Sequence, residues 1–219
     1  MRIMLGETTV QLLSDRAAWL PDSGSLLIAD LHLGKAHSFR RQGVPVPAGT
    51  TAAVLARLDR LIEQFPVREM VVLGDFLHGP LAQRSQSIEQ FRHWRGRHPQ
   101  FELLLVRGNH DRSAGDPPEE CAVIVHEGVL QRAGLLLSHE PQADSPQQPG
   151  FGVAGHIHPV FRLAGAIDSL RLPCFWMNGR SLVLPAFGEF TGGWSVRPAP
   201  TDRIFVSDGS GVLEVPVAR

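Results

Sequence analysis

The chain has 219 residues, a formal net charge of −1 at pH 7 and 43% hydrophobic residues. No run of about eighteen apolar residues occurs, which excludes a membrane-spanning helix, and the near-neutral charge is unlike the basic surface of a dedicated nucleic-acid binder. This balance predicts a globular protein whose function depends on a local site.

Two cysteines, Cys121 and Cys174, are too few for a disulfide framework, and the N-terminal segment lacks the apolar region of a signal peptide. We therefore expect a cytoplasmic protein. Lys35 is the single lysine among many arginines. That excess of arginine either serves phosphate contacts or reflects the base composition of the gene.

The first half of the chain alternates between predicted strands and helices. Apolar spacing and turn residues predict a hairpin at residues 10–20, strands at 25–29, 70–73 and 103–106, and helices at 35–41, 50–65 and 85–97. Thr50 or Thr51 is expected to cap the second helix. The alternation predicts a sheet with parallel strands and helical crossovers.

The second half is predicted to be mostly β. Short apolar segments lie between Gly, Pro and Asp turns at residues 122–125, 135–138, 152–154, 160–163, 174–177, 181–184, 204–206 and 212–215. Residues 143–150, rich in Gln and Pro, are predicted to form a surface loop. Because no linker or repeat interrupts the pattern, we interpret residues 1–219 as a single domain with a two-sheet core.

Polar clusters follow five of the predicted strands, where open α/β sheets bind ligands. They contain Asp30 and His32, Gly74 and Asp75, Gly108 to Asp111, Ser138 and His139, and Gly155 to His158. Carboxylate, amide and imidazole ligands without cysteine suit manganese, iron or zinc. Seven ligands exceed what one ion with an open site needs, so they suit two ions that share a carboxylate, for which Asp75 is the candidate.

Single histidines at strand ends are ordinarily surface or hydrogen-bonded residues, so the prediction depends on the ordered set. Five other histidines receive that ordinary structural interpretation, namely His37, His78, His93, His98 and His126.

This ordered set of motifs resembles the calcineurin-like metallophosphoesterase superfamily over residues 30–158. The resemblance implies an α/β fold, a four-layer αββα sandwich with two mixed β-sheets, and a centre of two divalent ions. One ion would be held by Asp30, His32, Asp75 and His158, and the other by Asp75, Asn109, His139 and His156. His110 would lie beside the leaving group, with Asp111 orienting it.

A narrower resemblance covers residues 30–47, 172–176 and 184–193. These segments are similar to bacterial metallophosphoesterases associated with a DNA ligase and a helicase in DNA damage responses. That similarity implies a metal-dependent phosphodiesterase or endonuclease, a nucleic-acid or nucleotide-like phosphodiester substrate, and ligase or helicase partners. Manganese is the first expectation for both ions, with iron, zinc or magnesium as alternatives.

Two positions depart from the superfamily pattern. Many members carry a second acidic residue shortly after the Gly-Asp pair, whereas this chain has His78 there, and Ser138 precedes His139 where glycine is commoner.

The predicted mechanism is attack on phosphorus by a hydroxide that bridges the two ions, with His110 as general acid. His37, Arg40 and Arg41 either contact phosphate oxygens or form a solvated helix face. The rival functions are a phosphomonoesterase, a protein phosphatase and a nucleotide or dinucleoside polyphosphate hydrolase. A non-catalytic scaffold is disfavoured because all seven ligand positions and His110 are present.

Overall fold

The computed structural model describes residues 1–47, 49–142, 150–165 and 168–217. The predicted loop at residues 143–150 lies, except for Gly150, outside the described residues. Within the described residues, no helix combines the length and the apolar character needed to cross a membrane. Both cysteines are buried and free.

The first sheet has seven strands, arranged in chain order from β1 to β7. β1 to β4 pair antiparallel, and β4 to β7 pair parallel. The strands are β1 (Arg2–Leu5), β2 (Thr8–Leu13), β3 (Ala17–Leu20), β4 (Ser25–Ile28), β5 (Glu69–Leu73), β6 (Glu102–Val106) and β7 (Ile124–His126).

The second sheet has nine strands, with the central order β14-β11-β12-β13-β10-β9-β8 and β15 and β16 attached beside β12. It mixes parallel pairs, such as β9 with β10, and antiparallel pairs, such as β11 with β12. The strands are β8 (Leu130–Arg132), β9 (Leu135–Leu137), β10 (Phe151–Ala154), β11 (Pro159–Ala164), β12 (Ser169–Asn178), β13 (Ser181–Val183), β14 (Trp194–Ser195), β15 (Arg203–Ser207) and β16 (Val212–Val215).

Four α-helices occur in the described residues, and all of them precede the second sheet in the chain. They are α1 (Lys35–Arg41), α2 (Thr50–Gln64), α3 (Gln86–Arg97) and α4 (Asn109–Ala114). α2 and α3 bury Leu58, Phe91 and Trp94 against one face of the first sheet. The predicted α/β sandwich with two mixed sheets is therefore confirmed, with the described helices on the side of the first sheet.

The predicted threonine cap of α2 is wrong. The helix follows Gly49, whose φ is +84°, and no side-chain hydrogen bond caps it. Thr51 instead donates from Oγ1 to Ser87 Oγ of α3 over 2.9 Å, so its hydroxyl joins the two helices.

A core between the two sheets holds the sandwich together. It combines Leu27, Val71 and Leu104 of the first sheet with Phe175 and Phe205 of the second, all of them buried. Because these large side chains from both halves of the chain pack together, the carboxyl ends of the central strands of the two sheets lie side by side.

Replacing Phe175 by alanine tests this core. The side chain is fully buried, and we expect the free energy of unfolding to fall by about 3–5 kcal/mol. Urea titration measures the change. Leu213→Ala, at a residue that is 66% exposed, is the matched control and is expected to change the value by less than about 0.5 kcal/mol. Equal losses in both variants would contradict the assigned core.

Candidate metal centre

The two sheets bring their polar strand ends to a common edge. Loops after β4, β5 and β6 of the first sheet and after β9 and β10 of the second sheet meet there. Ligands on both sheets therefore converge, as expected for the carboxyl ends of strands in an α/β sheet. The converging side chains are those of Asp30, His32, Asp75, Asn109, His139, His156 and His158.

A first group of ligand atoms comes from Asp30, His32, Asp75 and His158, and these atoms all lie within 4.8 Å of one another. His32 Nε2 is 3.6 Å from Asp75 Oδ2, and His158 Nε2 is 3.5 Å from Asp30 Oδ1. The two Nε2 atoms are 3.3 Å apart. Two carboxylates and two imidazoles therefore face one small space.

A second group lies on the other side of Asp75. His139 Nε2 is 2.9 Å from Asn109 Oδ1 and 3.0 Å from His156 Nδ1. His139 Nε2 is also 3.5 Å from Asp75 Oδ1. The two oxygens of Asp75 thus face two different groups of ligand atoms.

Backbone carbonyls orient two of the imidazoles. His139 Nδ1 lies 3.0 Å from Leu73 O, and His158 Nδ1 lies 3.1 Å from Thr191 O. Because a carbonyl only accepts hydrogen bonds, Nδ1 carries the proton in each ring. Nε2 is then left as a lone-pair donor toward the ligand groups, the arrangement usual for metal-binding histidines.

Burial sets the charge state of the centre. It raises the pKa of Asp30, and together with the nearby Lys35 ammonium it lowers the pKa of His32, which is therefore neutral at pH 7. Burial also opposes protonation of His158, but its contact with Asp30 raises the pKa of that ring.

The donor set fits divalent ions. Asp30 and Asp75 are buried, and within the described residues neither is ion-paired with an arginine or lysine. Buried carboxylates require a compensating cation, and oxygen and imidazole donors suit manganese, iron or zinc.

Strained backbone concentrates at the centre. Among the described residues, nine non-glycine residues have positive φ, and five of them are predicted ligands. Those five are Asp30, His32, Asp75, His156 and His158, with φ between 48° and 69°. Such conformations are uncommon outside glycine and persist where the surrounding structure imposes them, often at functional sites.

Two glycines permit the close approach of the ligand loops. A Cβ at Gly74 would lie 1.9 Å from His139 Nδ1, and one at Gly108 would lie 2.4 Å from Asp75 Oδ1. Any larger residue at either position would displace a ligand.

The orientation of His110 differs from the prediction. Asp111 is buried, but its two carboxylate oxygens accept the backbone N–H groups of Leu77 and Gly108 rather than contacting His110. His110 Nδ1 instead lies 2.9 Å from His78 O. The expectation that Asp111 orients His110 is therefore corrected: a carbonyl holds the ring, and Asp111 holds the loops.

His78, interpreted from sequence as an ordinary histidine, lies in the site. Its ring stacks on His110 with the centroids 5.1 Å apart, and its Nδ1 is 3.4 Å from His32 Nδ1. Burial, together with Lys35 and His110, lowers the pKa of His78 to about 4. The sequence feature that could have indicated this location is its position three residues after Asp75, where many superfamily members carry an acidic residue.

Lys35 is the second residue that sequence reasoning left outside the site. Burial lowers the pKa of its ammonium, and Asp75 and Asp30 oppose that shift. Its place directly after the first ligand motif was the available signal.

The three residues predicted as possible phosphate contacts, His37, Arg40 and Arg41, lie on α1. Arg40 and Arg41 are exposed, and Arg40 Nη1 contacts Pro47 O at 3.4 Å. Among the described contacts, none joins His37, Arg40 or Arg41 to a predicted ligand. The solvated helix face therefore fits the two arginines better than contact with the centre.

A model of the family described as calcineurin-like phosphoesterase matches residues 25–189, which include every ligand position. The chain belongs to this family. It is a metallophosphoesterase by family, which confirms the resemblance that the motifs predicted.

Comparison with solved structures finds two proteins that match nearly the whole chain. The Pseudomonas putida nuclease MPE is 40% identical over 98% of this chain and 99% of its own, with a TM-score of 0.86. Yfce, a phosphoesterase from E. coli, is 14% identical over 89% of this chain and 99% of its own, with a TM-score of 0.43. No curated protein matches the chain.

Replacing Asp75 by asparagine tests whether this carboxylate contributes to both groups of ligand atoms. The neutral amide cannot compensate two cations, so we expect both metal-binding steps to weaken greatly. Elemental analysis after dialysis against Mn²⁺ measures the bound metal. Asp22→Asn, the same change at an exposed residue, is the control and should keep the wild-type content. Full occupancy in the Asp75 variant would contradict the prediction.

Proposed function

We propose that this calcineurin-like phosphoesterase is a dinuclear, metal-dependent phosphodiesterase that cuts nucleic acid as an endonuclease in DNA repair. The observation that carries the proposal is the Asp75 carboxylate, whose two oxygens face separate ligand groups. Two-metal phosphoesterase sites hold their ions about 3.5–4 Å apart. The similarity to a nuclease supports nucleic acid as the substrate.

The seven ligands divide between two ions in this proposal. Asp75 belongs to both sets, and manganese is the proposed metal. Ions held there would supply a nucleophilic water at neutral pH and would neutralise charge on the phosphate. The first set is Asp30, His32, Asp75 and His158, and the second is Asp75, Asn109, His139 and His156.

His110 is the proposed general acid. The carbonyl of His78 accepts the hydrogen bond from Nδ1, which leaves Nε2 as the ring nitrogen that donates a proton to the departing oxygen. Stacking on His78 keeps the ring in place.

Lys35 is the proposed contact to a phosphate oxygen. Its half-buried ammonium lies near Asp30 and Asp75, and no ion pair joins it to a carboxylate among the described residues. Unlike the exposed arginines of α1, it is positioned to bind an anion that enters the centre.

The substrate class is tested by comparing three substrates. A phosphodiesterase should hydrolyse bis(p-nitrophenyl) phosphate faster than p-nitrophenyl phosphate, and an endonuclease should open covalently closed circular DNA, which has no ends. Preference for the monoester would support a phosphomonoesterase. Hydrolysis of dinucleoside polyphosphates without cleavage of DNA would support the nucleotide hydrolase alternative.

His110→Ala tests the proton donor. Cleavage of an oligonucleotide, whose alkoxide is a poor leaving group, should slow by about 10²- to 10⁴-fold, while a p-nitrophenyl ester should lose much less. Metal content should match the wild type. His93→Ala, at an exposed histidine of α3, is the matched control. Unimpaired turnover of the oligonucleotide would remove His110 from this role.

Lys35→Met tests the phosphate contact, because methionine keeps the stem and removes the charge. A charge-assisted hydrogen bond contributes about 1.5–3 kcal/mol, so kcat/KM should fall about 10- to 150-fold, and Lys35→Arg should recover part of it. Arg41→Met is expected to lose less. A larger loss at Arg41 than at Lys35 would reverse the assignment.

We also propose that residues 1–219 form one domain, because the core between the sheets joins Ile3 of β1 to Phe205 of β15.

A cytoplasmic location and ligase or helicase partners stay predictions. Co-purification of the chain with such enzymes tests the partners.

A further inference from the structure

A segment of residues 188–194, called here the 188–194 loop, ends at the first residue of β14 and is attached directly to the candidate metal centre. Gly188 donates its backbone N–H to Asp30 O over 3.0 Å, and Trp194 donates to His158 O over 3.0 Å. Between them, Thr191 O accepts the hydrogen bond from His158 Nδ1. The 188–194 loop is therefore held at both ends by two predicted ligands.

A buried arginine braces the beginning of this loop. Arg57 Nη1 lies 2.8 Å from Glu189 Oε1, and the same guanidinium donates to Phe187 O and lies 4.1 Å above the Phe187 ring. A loop held in this way loses little conformational freedom when it binds a ligand.

The braced loop exposes two aromatic side chains. Trp194 is 68% exposed and Phe190 is 43% exposed, and neither belongs to a core cluster of the described residues. Phe190 also has φ of +57°, which is uncommon for a bulky residue. Single exposed apolar residues are ordinary, but two on one fixed loop beside a catalytic centre indicate a contact surface.

Trp194 borders an open cavity of about 590 Å³ whose lining is mainly apolar. Trp176 lies on the same cavity, with its Nε1 held by Asp202 Oδ2 at 2.9 Å, and Arg197 adds a guanidinium. A second guanidinium, of Arg171, donates to Gly193 O within the loop. Flat aromatic rings beside arginines match the bases and phosphates of a nucleic acid strand.

We propose that the 188–194 loop is a nucleobase-stacking site, in which Trp194 stacks one base at the Trp176 cavity and Phe190 stacks another. Arg197 contacts the backbone phosphate of the stacked nucleotide. This inference rests on the proposed nuclease function. It adds the residues that bind the nucleic acid strand next to the cleaved phosphodiester. It also explains how a chain of net charge −1 binds a polyanion, because stacking replaces part of the electrostatic attraction.

Abasic substitution tests the stacking. In a labelled single-stranded oligonucleotide, one abasic residue is moved position by position, and each cut is mapped by product length. When the abasic residue replaces the nucleotide whose base stacks on Trp194, kcat/KM of the wild type should fall about 5- to 150-fold. In Trp194→Ala the same abasic residue should have almost no further effect. Phe190→Ala should remove the penalty at a different position.

Two controls separate stacking from damage to the fold. Trp194→Phe keeps an aromatic ring and should restore part of the abasic penalty. Leu213→Ala, an equally exposed apolar residue on β16, should behave as the wild type.

Three results would overturn the proposal, and they are distinguishable. An abasic penalty as large in Trp194→Ala and Phe190→Ala as in the wild type overturns the stacking site alone. A dimer in light scattering that Trp194→Ala dissociates, with the penalty unchanged, assigns the cavity to a second copy of the chain. Hydrolysis of bis(p-nitrophenyl) phosphate without cleavage of any oligonucleotide overturns the nuclease function and the stacking site together.

Discussion

Two carboxylates, Asp30 and Asp75, are buried side by side where the two sheets meet, and the site is arranged around this burial of like charge. Carboxylates away from water repel each other and need cations for compensation. Among the described residues, Asp30 accepts the backbone N–H of His156 and Asp75 accepts that of His110, and the neighbouring side chains are imidazoles together with the half-buried ammonium of Lys35. Divalent ions bound there would compensate this charge.

The centre forms only when both sheets are packed. Asp30 and Asp75 follow strands of the first sheet, whereas His139 and His158 follow strands of the second. The apolar core between the sheets therefore positions the ligands, and we expect metal binding and folding to stabilise each other. The 188–194 loop extends this coupling, because the contacts that hold His158 also hold Trp194 at the surface.

Much of this arrangement was readable from residue order, and the failures have identifiable causes. The helical face with Phe91 and Trp94 and the parallel strands were predicted because periodicity is a local property. The Thr51 cap was wrong because its hydroxyl bonds a serine on another helix, a contact that no local pattern contains. The family resemblance assigned Asp111 to orient His110, but its oxygens accept hydrogen bonds from two backbone N–H groups.

By itself the sequence determined the family and the alternation of strands and helices, and it predicted seven metal ligands, because strand-end motifs carry both position and ligand type in a few adjacent residues. Only the tertiary structure decided that Asp75 faces two ligand groups, that His78 and Lys35 belong to the site, and that Trp194 lies beside His158. The physical reason is that these contacts join distant segments. These contacts depend on how the two sheets pack and on where the loops cross. The spacing of side chains along one strand encodes neither the packing of the sheets nor the crossing of the loops.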